Sequence, residues 1–215
     1  QAKAFSPYLN KKLVGQVAEK FDIKIGKDKN GFFTAFSLCD IDGQFGGIQK
    51  IYHTVPEQWN SNKLITSGFN PMGYFLALGE FKDGDTVYIC EGLATGLSMV
   101  AATEKPVVVC LFADNIAAVS KSLSLRYPLI KKVHVSDNDK TNPGHGNTGI
   151  TKCALSVKYY GGWVFVPHPS KGTDVNDVLV NDGIEELKNQ IYKQEENYFN
   201  GRFSSTVAGL FNYIL

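Results

Sequence analysis

Several features that mark particular protein classes are missing from this chain of 215 residues. It has only two arginines, Arg126 and Arg202, and a net charge of +1, so any nucleic-acid contact must use a local patch of lysines. Its four cysteines form no C-x-x-C pair, which argues against a zinc ribbon. No apolar run approaches the roughly 18 residues that a membrane-spanning helix needs. No Walker loop occurs, which argues against an ATPase.

The composition predicts an ordinary globular protein. Apolar residues make up 43% of the chain, which is too high for disorder, and the length allows a sizeable core. Cys90 and Cys110 lie within apolar runs and are expected to be core residues. No signal peptide is evident, so we expect a reduced, cytoplasmic protein with no membrane partner. The chain begins with Gln1, so we also expect a piece of a longer protein.

The first part of the chain has the pattern of an antiparallel sheet. A helix is predicted at 10–21, where apolar residues recur at helical spacing and Asn10 is placed to cap it. A polar turn is predicted at 26–31. Strands are predicted from apolar and β-branched runs at 32–38, 47–54, 63–66 and 73–78. The D-I-D-G-Q-F-G-G segment after the first of these is typical of a hairpin connection.

From residue 86 onward, short apolar runs alternate with helical patterns. The predicted strands lie at 87–90, 107–111, 132–136 and 163–166. The predicted helices lie at 94–102, 115–126 with Asp114 as cap, 150–160 and 183–194, and a further helix follows P-S-K-G-T-D. This alternation predicts right-handed βαβ units and a mainly parallel sheet.

The fold predicted from these patterns is α/β, with a Rossmann-like, mainly parallel sheet and flanking helices. A smaller β-rich α+β subdomain precedes it. We predict boundaries that give an N-terminal subdomain at 1–85, a catalytic domain at 86–185 and a helical, aromatic tail at 186–215.

Three acidic groups occupy comparable points of the α/β part. Glu91 follows one strand, Asp137 and Asp139 follow a later one, and Asp174 with Asp177 opens a helix. Ligands of open α/β sheets bind at the carboxyl ends of the strands, so these carboxylates are expected to converge there. Crowded carboxylates repel one another unless a cation binds. Ligands that are all oxygen favour Mg²⁺ or Mn²⁺ over Zn²⁺ and suit phosphoryl transfer.

Each acidic group also has a purely structural alternative. Asp137 and Asp139 could belong to a surface turn, although alternate residues of an extended segment face one side and would leave Asn138 facing away. Glu91 could interact with a helix dipole, and Asp174 could be a helix N-cap. In the β-rich part, Lys50 and Lys63 could meet a phosphate backbone or simply form a solvated strand face.

The motifs together resemble a known family. The E-G that ends one strand, the D-x-D that ends a later one and the further acidic motif are similar to those of the Toprim domain, which bacterial-type primases, topoisomerases and some nucleases share. The stretches C-E-G-L-A-T-G-L-S and K-G-T-D-V-N-D-V-L resemble plasmid and phage primases, including primase-helicase fusions. The β-rich stretch with D-I-D-G-Q-F-G-G-I-Q-K-I-Y is similar to the segment that precedes Toprim in those proteins.

The resemblance implies roles for the acidic residues. Glu91 would be the acid/base or metal-organising carboxylate, and Asp137 and Asp139 would be metal ligands. Asp174 would support the metal or bind it through water, with Asp177 as a further partner. Two positions depart from cellular primases, which usually carry Asp where this chain has Thr95 and often where it has Asn176. Both departures lower the negative charge, so the resemblance does not fix the number of metal ions.

The resemblance also implies substrates and partners. Nucleotide or DNA would be contacted by basic residues, with candidates at Lys50, Lys140, His145 and Lys171, although His145 could instead be a solvated loop residue. The expected function is metal-dependent synthesis of RNA primers from ribonucleoside triphosphates on single-stranded DNA, for the replication of a mobile element. A helicase and a zinc-binding domain are expected elsewhere in the full-length protein. The alternatives are a Toprim nuclease or nickase and a non-catalytic binding module.

Overall fold

The computed structural model of the protein describes residues 6–139 and 147–201, and these form two sheets with flanking helices. The strands are β1 (Lys24–Asp28), β2 (Gly31–Cys39), β3 (Phe45–Tyr52), β4 (Lys63–Ile65), β5 (Leu76–Leu78), β6 (Thr86–Cys90), β7 (Val107–Val109), β8 (Lys131–Val135) and β9 (Trp163–Phe165). The helices are α1 (Pro7–Lys11), α2 (Gly15–Ala18), α3 (Leu93–Thr103), α4 (Ala113–Arg126), α5 (Thr148–Tyr160), α6 (Val175–Asn181) and α7 (Ile184–Phe199). None of the helices in these ranges is long and apolar enough to span a membrane.

The topology confirms the predicted α/β fold. The first sheet is antiparallel, in the order β1-β2-β3-β4. The second has the order β5-β7-β6-β8-β9, in which β7, β6, β8 and β9 are parallel and only β5 runs the other way. β5 precedes residue 86 in the chain yet pairs with β7, and the predicted domain boundaries remain predictions.

The second sheet is buried on both faces, which is why its strands are continuous apolar runs. Alternate residues of β6 point to opposite sides. Val87 and Ile89 pack with α4 and α5, whereas Tyr88 and Cys90 pack with α3, α6 and α7. All four of these side chains are 1% exposed or less, so the sheet forms the middle of a three-layer structure.

The first sheet has an inner face that joins this core. Thr34, Phe36 and Leu38 of β2 and Ile51 of β3 are nearly inaccessible, and the apolar three belong to the same apolar cluster as Leu9 and the helices α3, α6 and α7. The opposite, outer face carries the intervening residues of the strands. The β2–β3 hairpin predicted from D-I-D-G-Q-F-G-G is confirmed by its antiparallel register.

Some local predictions in the first part are wrong. The helix predicted at 10–21 is two short helices, because Leu13 adopts a left-handed φ of 56° that interrupts the helical path. Asn10 therefore lies inside α1, which Ser6 caps by accepting a hydrogen bond from the Leu9 N–H. The turn predicted at 26–31 is only two residues long, because residues 26–28 belong to β1 and Gly31 begins β2.

The predicted cap of α4 is also wrong. The N-cap residue is Phe112, and Asp114 lies in the first turn. There its carboxylate pairs with Lys152 Nζ of α5 at 2.6 Å, so it joins two helices instead of capping one.

A buried histidine links the second sheet to two helices. His134 of β8 is inaccessible, and its Nε2 lies 2.9 Å from the Ser120 hydroxyl of α4 and 3.0 Å from the Ser156 hydroxyl of α5. Burial, aided by the charge of Lys132, lowers the pKa of His134 to about 3. The imidazole is therefore neutral in the folded protein at neutral pH.

We predict that this histidine makes the protein sensitive to acid. The pKa of an unfolded histidine is about 6.5, so between about pH 3 and pH 6.5 the unfolded chain binds a proton that the folded chain does not. Stability from this group is therefore lost as the pH falls below about 6.5, by about 2 kcal/mol between pH 7 and pH 5. Urea unfolding at the two pH values measures it.

His134→Gln is the matched control, because an amide can bond to the same serines without titrating. The pH dependence of its unfolding free energy should be smaller than that of the wild type by the same amount. Equal pH dependence in the two proteins would contradict the prediction.

Candidate functional site

The parallel strands bring two of the predicted acidic segments to one edge of the second sheet. β6 and β8 are neighbours in parallel register, with Ile89 opposite His134. Glu91, which follows β6, therefore leaves the sheet beside the segment that follows β8 and contains Asp137. α3 begins two residues after Glu91, so its N-terminus lies at the same edge and adds a partial positive charge there.

Asn138 fastens the D-x-D segment to its surroundings. Its backbone N–H donates to Thr173 O at 2.8 Å, and its side-chain Nδ2 donates to Pro167 O at 3.0 Å. Its Oδ1 accepts from Nδ2 of Asn147, the N-cap of α5, at 2.9 Å. The side chain of Asn138 thus faces the protein, as the alternation of an extended segment predicts, and the segment is held against the loop that precedes α6.

The third acidic motif forms a capping box at the start of α6. Asp174 is the N-cap, and its Oδ1 accepts from the Asp177 N–H at 2.8 Å. Asp177 Oδ2 accepts in return from the N–H groups of Thr173, at 2.8 Å, and Asp174, at 3.2 Å. Gly172, with a φ of +94°, lies so close to the Asp177 carboxylate that a Cβ would not fit. Both aspartates therefore shape this loop whether or not they also bind a cation.

The charges at this edge interact strongly. Burial, with the nearby negative charges of Glu91, Asp174 and Asp139, raises the pKa of Asp137 to about 7. Burial also raises the pKa of Glu91, with a further contribution from Asp139. The pKa of Asp174 is raised by burial as well, although the hydrogen bond from the Asp177 N–H opposes the shift. The carboxylates are thus gathered in a place where their shared negative charge is poorly solvated.

The first sheet supplies a lysine to this edge. Lys63 of β4 is exposed, and its positive charge partly offsets the rise in the pKa of both Glu91 and Asp137. It pairs with Ile51 of β3 and so lies on the inner face of the sheet, toward the carboxylates.

Lys50 lies on the outer face of the same sheet. It pairs with Leu64, one residue along β4 from Lys63, and the two lysines therefore point to opposite sides. Its Nζ is 2.9 Å from Asp28 Oδ2 and 4.1 Å from the centre of the Phe33 ring. The predicted contact of Lys50 with nucleic acid remains a prediction.

Of the other predicted basic residues, Lys171 lines a surface cavity, and Lys140 and His145 lie outside the described residues. Lys171 is exposed and lines a cavity of 240 Å³ together with Lys11 and Lys12. The charge of Lys12 also partly offsets the rise in the pKa of Asp174. Two predicted residues lie outside the described ranges: Lys140 and His145.

The donor set fits a hard divalent cation that also binds substrate. Within residues 6–139 and 147–201, no three His, Cys, Asp or Glu side chains form a complete metal-binding group. Mg²⁺ does not need one, because it commonly binds through one or two carboxylates and completes its shell with phosphate oxygens and water. The crowded carboxylates offer only oxygen, and a cation would relieve their repulsion.

The two positions that depart from cellular primases are both inside the protein. Thr95 is 4% exposed and Asn176 is inaccessible. Asn176 Nδ2 donates to Lys12 O at 2.7 Å and to the Ser98 hydroxyl at 3.0 Å, which ties α6 to α1 and α3. An aspartate has no N–H to donate in this place, so the amide has a structural reason to be there.

Comparison with known proteins agrees with this arrangement. The family profile of the Toprim domain matches residues 86–185, the range that contains all three acidic motifs. Residues 86–185 form a Toprim domain. No curated protein sequence matches the chain.

Solved primase structures share the fold of the chain beyond its Toprim domain. The primase fragment of the bacteriophage T7 primase-helicase protein is 14% identical with a TM-score of 0.61, over 82% of this chain and 69% of that one. The zinc-binding and RNA polymerase domains of the Aquifex aeolicus primase are 14% identical with a TM-score of 0.60, over 89% of this chain and 56% of that one. The DnaG catalytic core is 13% identical with a TM-score of 0.58, over 97% of this chain and 81% of that one. The chain therefore has the fold of a primase catalytic core.

Sequence reasoning overlooked the residues that position the Toprim carboxylates. Asn138 was predicted only to face away, although it carries three of the hydrogen bonds that hold its neighbours. Gly149 of α5 received no role, yet a Cβ there would lie 2.7 Å from Asp137 O and 3.1 Å from Asp137 N. No pattern in the sequence marks either contact, because both depend on loops that are distant along the chain.

We predict that Gly149→Ala displaces Asp137. The added methyl group cannot be accommodated without moving backbone atoms, so we expect a destabilisation of about 1–3 kcal/mol and weaker Mn²⁺ binding. Urea unfolding and calorimetric Mn²⁺ titration measure the two effects. The control is Thr148→Ala at the adjacent, exposed position of the same helical turn, which should change neither quantity. Unaltered Mn²⁺ affinity in Gly149→Ala would show that this contact does not position the site.

Proposed function

We propose that this chain is the catalytic core of a DNA primase of mobile-element type. It would act in the cytoplasm, take ribonucleoside triphosphates and a single-stranded DNA template, and synthesise short RNA primers with Mg²⁺ or Mn²⁺. The observation that carries the proposal is the mutual charge interaction of Glu91, Asp137, Asp139 and Asp174 at one sheet edge, in a chain with the fold of primase cores.

The carboxylates would hold the cation and the substrate together. Asp137 and Asp139 would be the direct ligands, with Asp174 and Asp177 supporting them. A cation bound there supplies charge neutralisation for the phosphates of the nucleotide. Glu91 would serve as the acid/base or metal-organising carboxylate beside the α-phosphate.

The remaining groups would position the reactants. Lys63 lies on the inner face near Glu91 and Asp137, where a triphosphate would meet its positive charge. In the reaction, the 3′-hydroxyl of the growing RNA attacks the α-phosphorus in line, and the bond to pyrophosphate breaks. Lys171, Lys140 and His145 are further candidates for nucleotide contacts.

Partners elsewhere in a longer protein are part of the proposal. The structurally similar phage T7 protein is a primase-helicase, and the Aquifex aeolicus structure includes a zinc-binding domain. We infer that the full-length protein likewise joins this core to a zinc-binding domain for template choice and works with a helicase.

A metal-dependent Toprim nuclease or nickase would use the same carboxylates with water as the nucleophile. The acidic motifs alone do not separate the two activities. The β-rich subdomain supports the primase, because the likeness to primase cores extends over 82% to 97% of the chain and so includes that part as well as the Toprim domain. A non-catalytic binding module would bind neither Mg²⁺ nor Mn²⁺, which titration would reveal.

Glu91→Gln is predicted to abolish primer synthesis. Loss of the carboxylate should lower the rate by about 100-fold or more, the usual contribution of an acid/base group. The assay offers single-stranded DNA and labelled ribonucleotides with Mn²⁺ or Mg²⁺, and a parallel assay offers supercoiled plasmid. The control is Glu80→Gln, an exposed carboxylate between β5 and β6 that should leave synthesis unchanged. Nicked circles without RNA products from the wild type would refute the primase and favour the nickase.

Lys63→Met is predicted to weaken nucleotide binding. Removal of one charge-assisted contact to a phosphate should raise KM for the ribonucleotide about tenfold. Steady-state primer synthesis at varied ribonucleotide concentration gives the value. The control is Lys131→Met, an exposed lysine at the first residue of β8 and hence at the opposite edge of the Toprim sheet. An unchanged KM in Lys63→Met would remove this residue from the site.

A further inference from the structure

A row of side chains crosses the inner face of the first sheet at the end where β4 begins. Lys27 of β1 is paired with Phe32 of β2, and the backbone N–H of His53 donates to Phe32 O at 3.0 Å. These three residues, here called the stacking strip, lie on the same face as Ile51 and Lys63. The strip therefore leads from the outer edge of the sheet to the lysine that acts on the carboxylates, across three strand spacings or about 14 Å.

The Phe32 ring of the strip is exposed, the His53 ring is half-buried, and their contacts hold both in place. Phe32 is 54% exposed, although it lies on the same face as the buried residues Phe36 and Leu38. Its ring stacks on that of His53, with centroids 6.2 Å apart and an angle of 11°. His53 Nε2 lies 3.4 Å from the hydroxyl of Thr34, a buried residue that is itself hydrogen-bonded to Ser6 at 2.9 Å.

Positive charge accompanies the rings. Lys27 Nζ is 4.9 Å from the centre of the Phe32 ring, and Lys63 lies beyond His53 on the next strand. Asp28, the carboxylate next to Lys27 in the sequence, points to the outer face and is bonded to Lys50. Burial lowers the pKa of His53, so its ring is mainly neutral at pH 7 and offers an aromatic face.

This combination matches the chemistry of an unpaired nucleic-acid strand. Aromatic rings bind the faces of bases without regard to sequence, and lysines beside them bind the phosphates. In a duplex the base faces are already stacked on one another, so a duplex has no free base face to stack on an exposed protein ring. The positive charges of Lys27 and Lys63 disfavour a basic partner, and the aromatic rings between them offer nothing to a free phosphate ion.

We propose that the stacking strip binds a single nucleic-acid strand and guides it toward the carboxylate edge of the Toprim domain. The assignment of this strand as template DNA rests on the proposed primase function. The binding itself does not, because it requires neither metal nor nucleotide.

The test measures binding of a fluorescent single-stranded DNA in EDTA by anisotropy. Phe32→Leu keeps an apolar side chain but removes the aromatic face, and we expect the Kd to rise about fivefold or more. Lys27→Met should flatten the plot of log Kd against log salt by about 0.7, the value for one phosphate contact on a single strand. The matched control is Phe45→Leu, a residue of the same sheet that is 63% exposed but lies at the other end of the β2–β3 hairpin.

The outcomes separate the strip from the primase proposal. Three results would overturn the proposal for the strip. One is an unchanged Kd in a Phe32→Leu protein whose unfolding free energy equals that of the wild type. The others are an equal loss of DNA affinity in Phe45→Leu and tighter binding of a duplex of the same sequence. Tighter binding of RNA than of DNA of that sequence would overturn its assignment to the template. If Phe32→Leu alone loses DNA affinity and the wild type makes no RNA with metal and ribonucleotides, the strip is supported and the primase function is refuted.

Discussion

The constraint on which this structure depends is the gathering of like charges in a poorly solvated place. Folding brings Glu91, Asp137, Asp139 and Asp174 to one edge of a sheet, where burial and mutual repulsion raise the pKa of Asp137 to about 7. Such an arrangement costs free energy in the absence of a cation. Strongly shifted pKa values cluster at functional sites, which is why this edge is the place to expect chemistry.

The backbone around these carboxylates is held in place, so they have little freedom to move apart and relieve their repulsion. Asn138 bonds the D-x-D segment to two neighbouring loops, and the close approach of α5 at Gly149 keeps the Asp137 backbone in place. The capping box of α6 does the same for the third acidic motif. In the proposed site, the residues that position the carboxylates thus differ in part from those that would bind the cation, as is usual where the geometry of a site must be precise.

The first sheet contributes through the alternation of its strands. Lys63 of β4 lies opposite Ile51 of β3 and so faces the Toprim edge, whereas Lys50, the neighbour of Ile51 in β3, faces outward and pairs with Asp28. The same alternation places Lys27, Phe32 and His53 on the side of Lys63. A single sheet face thereby connects a strip suited to an unpaired strand with the charges of the Toprim domain.

The sequence by itself determined the α/β fold, the parallel strands and the Toprim motifs, because period-two and helical patterns are local and a carboxylate directly after a buried strand must emerge at the sheet edge. Local helix breaks were harder to predict, since the left-handed backbone of Leu13 leaves no mark on an apolar pattern. Only the tertiary structure decided that Lys63 and not Lys50 lies near the carboxylates, and that Asn138 and Gly149 position them. Those facts depend on strand register and on loops packed against one another, and no spacing along a single segment encodes either.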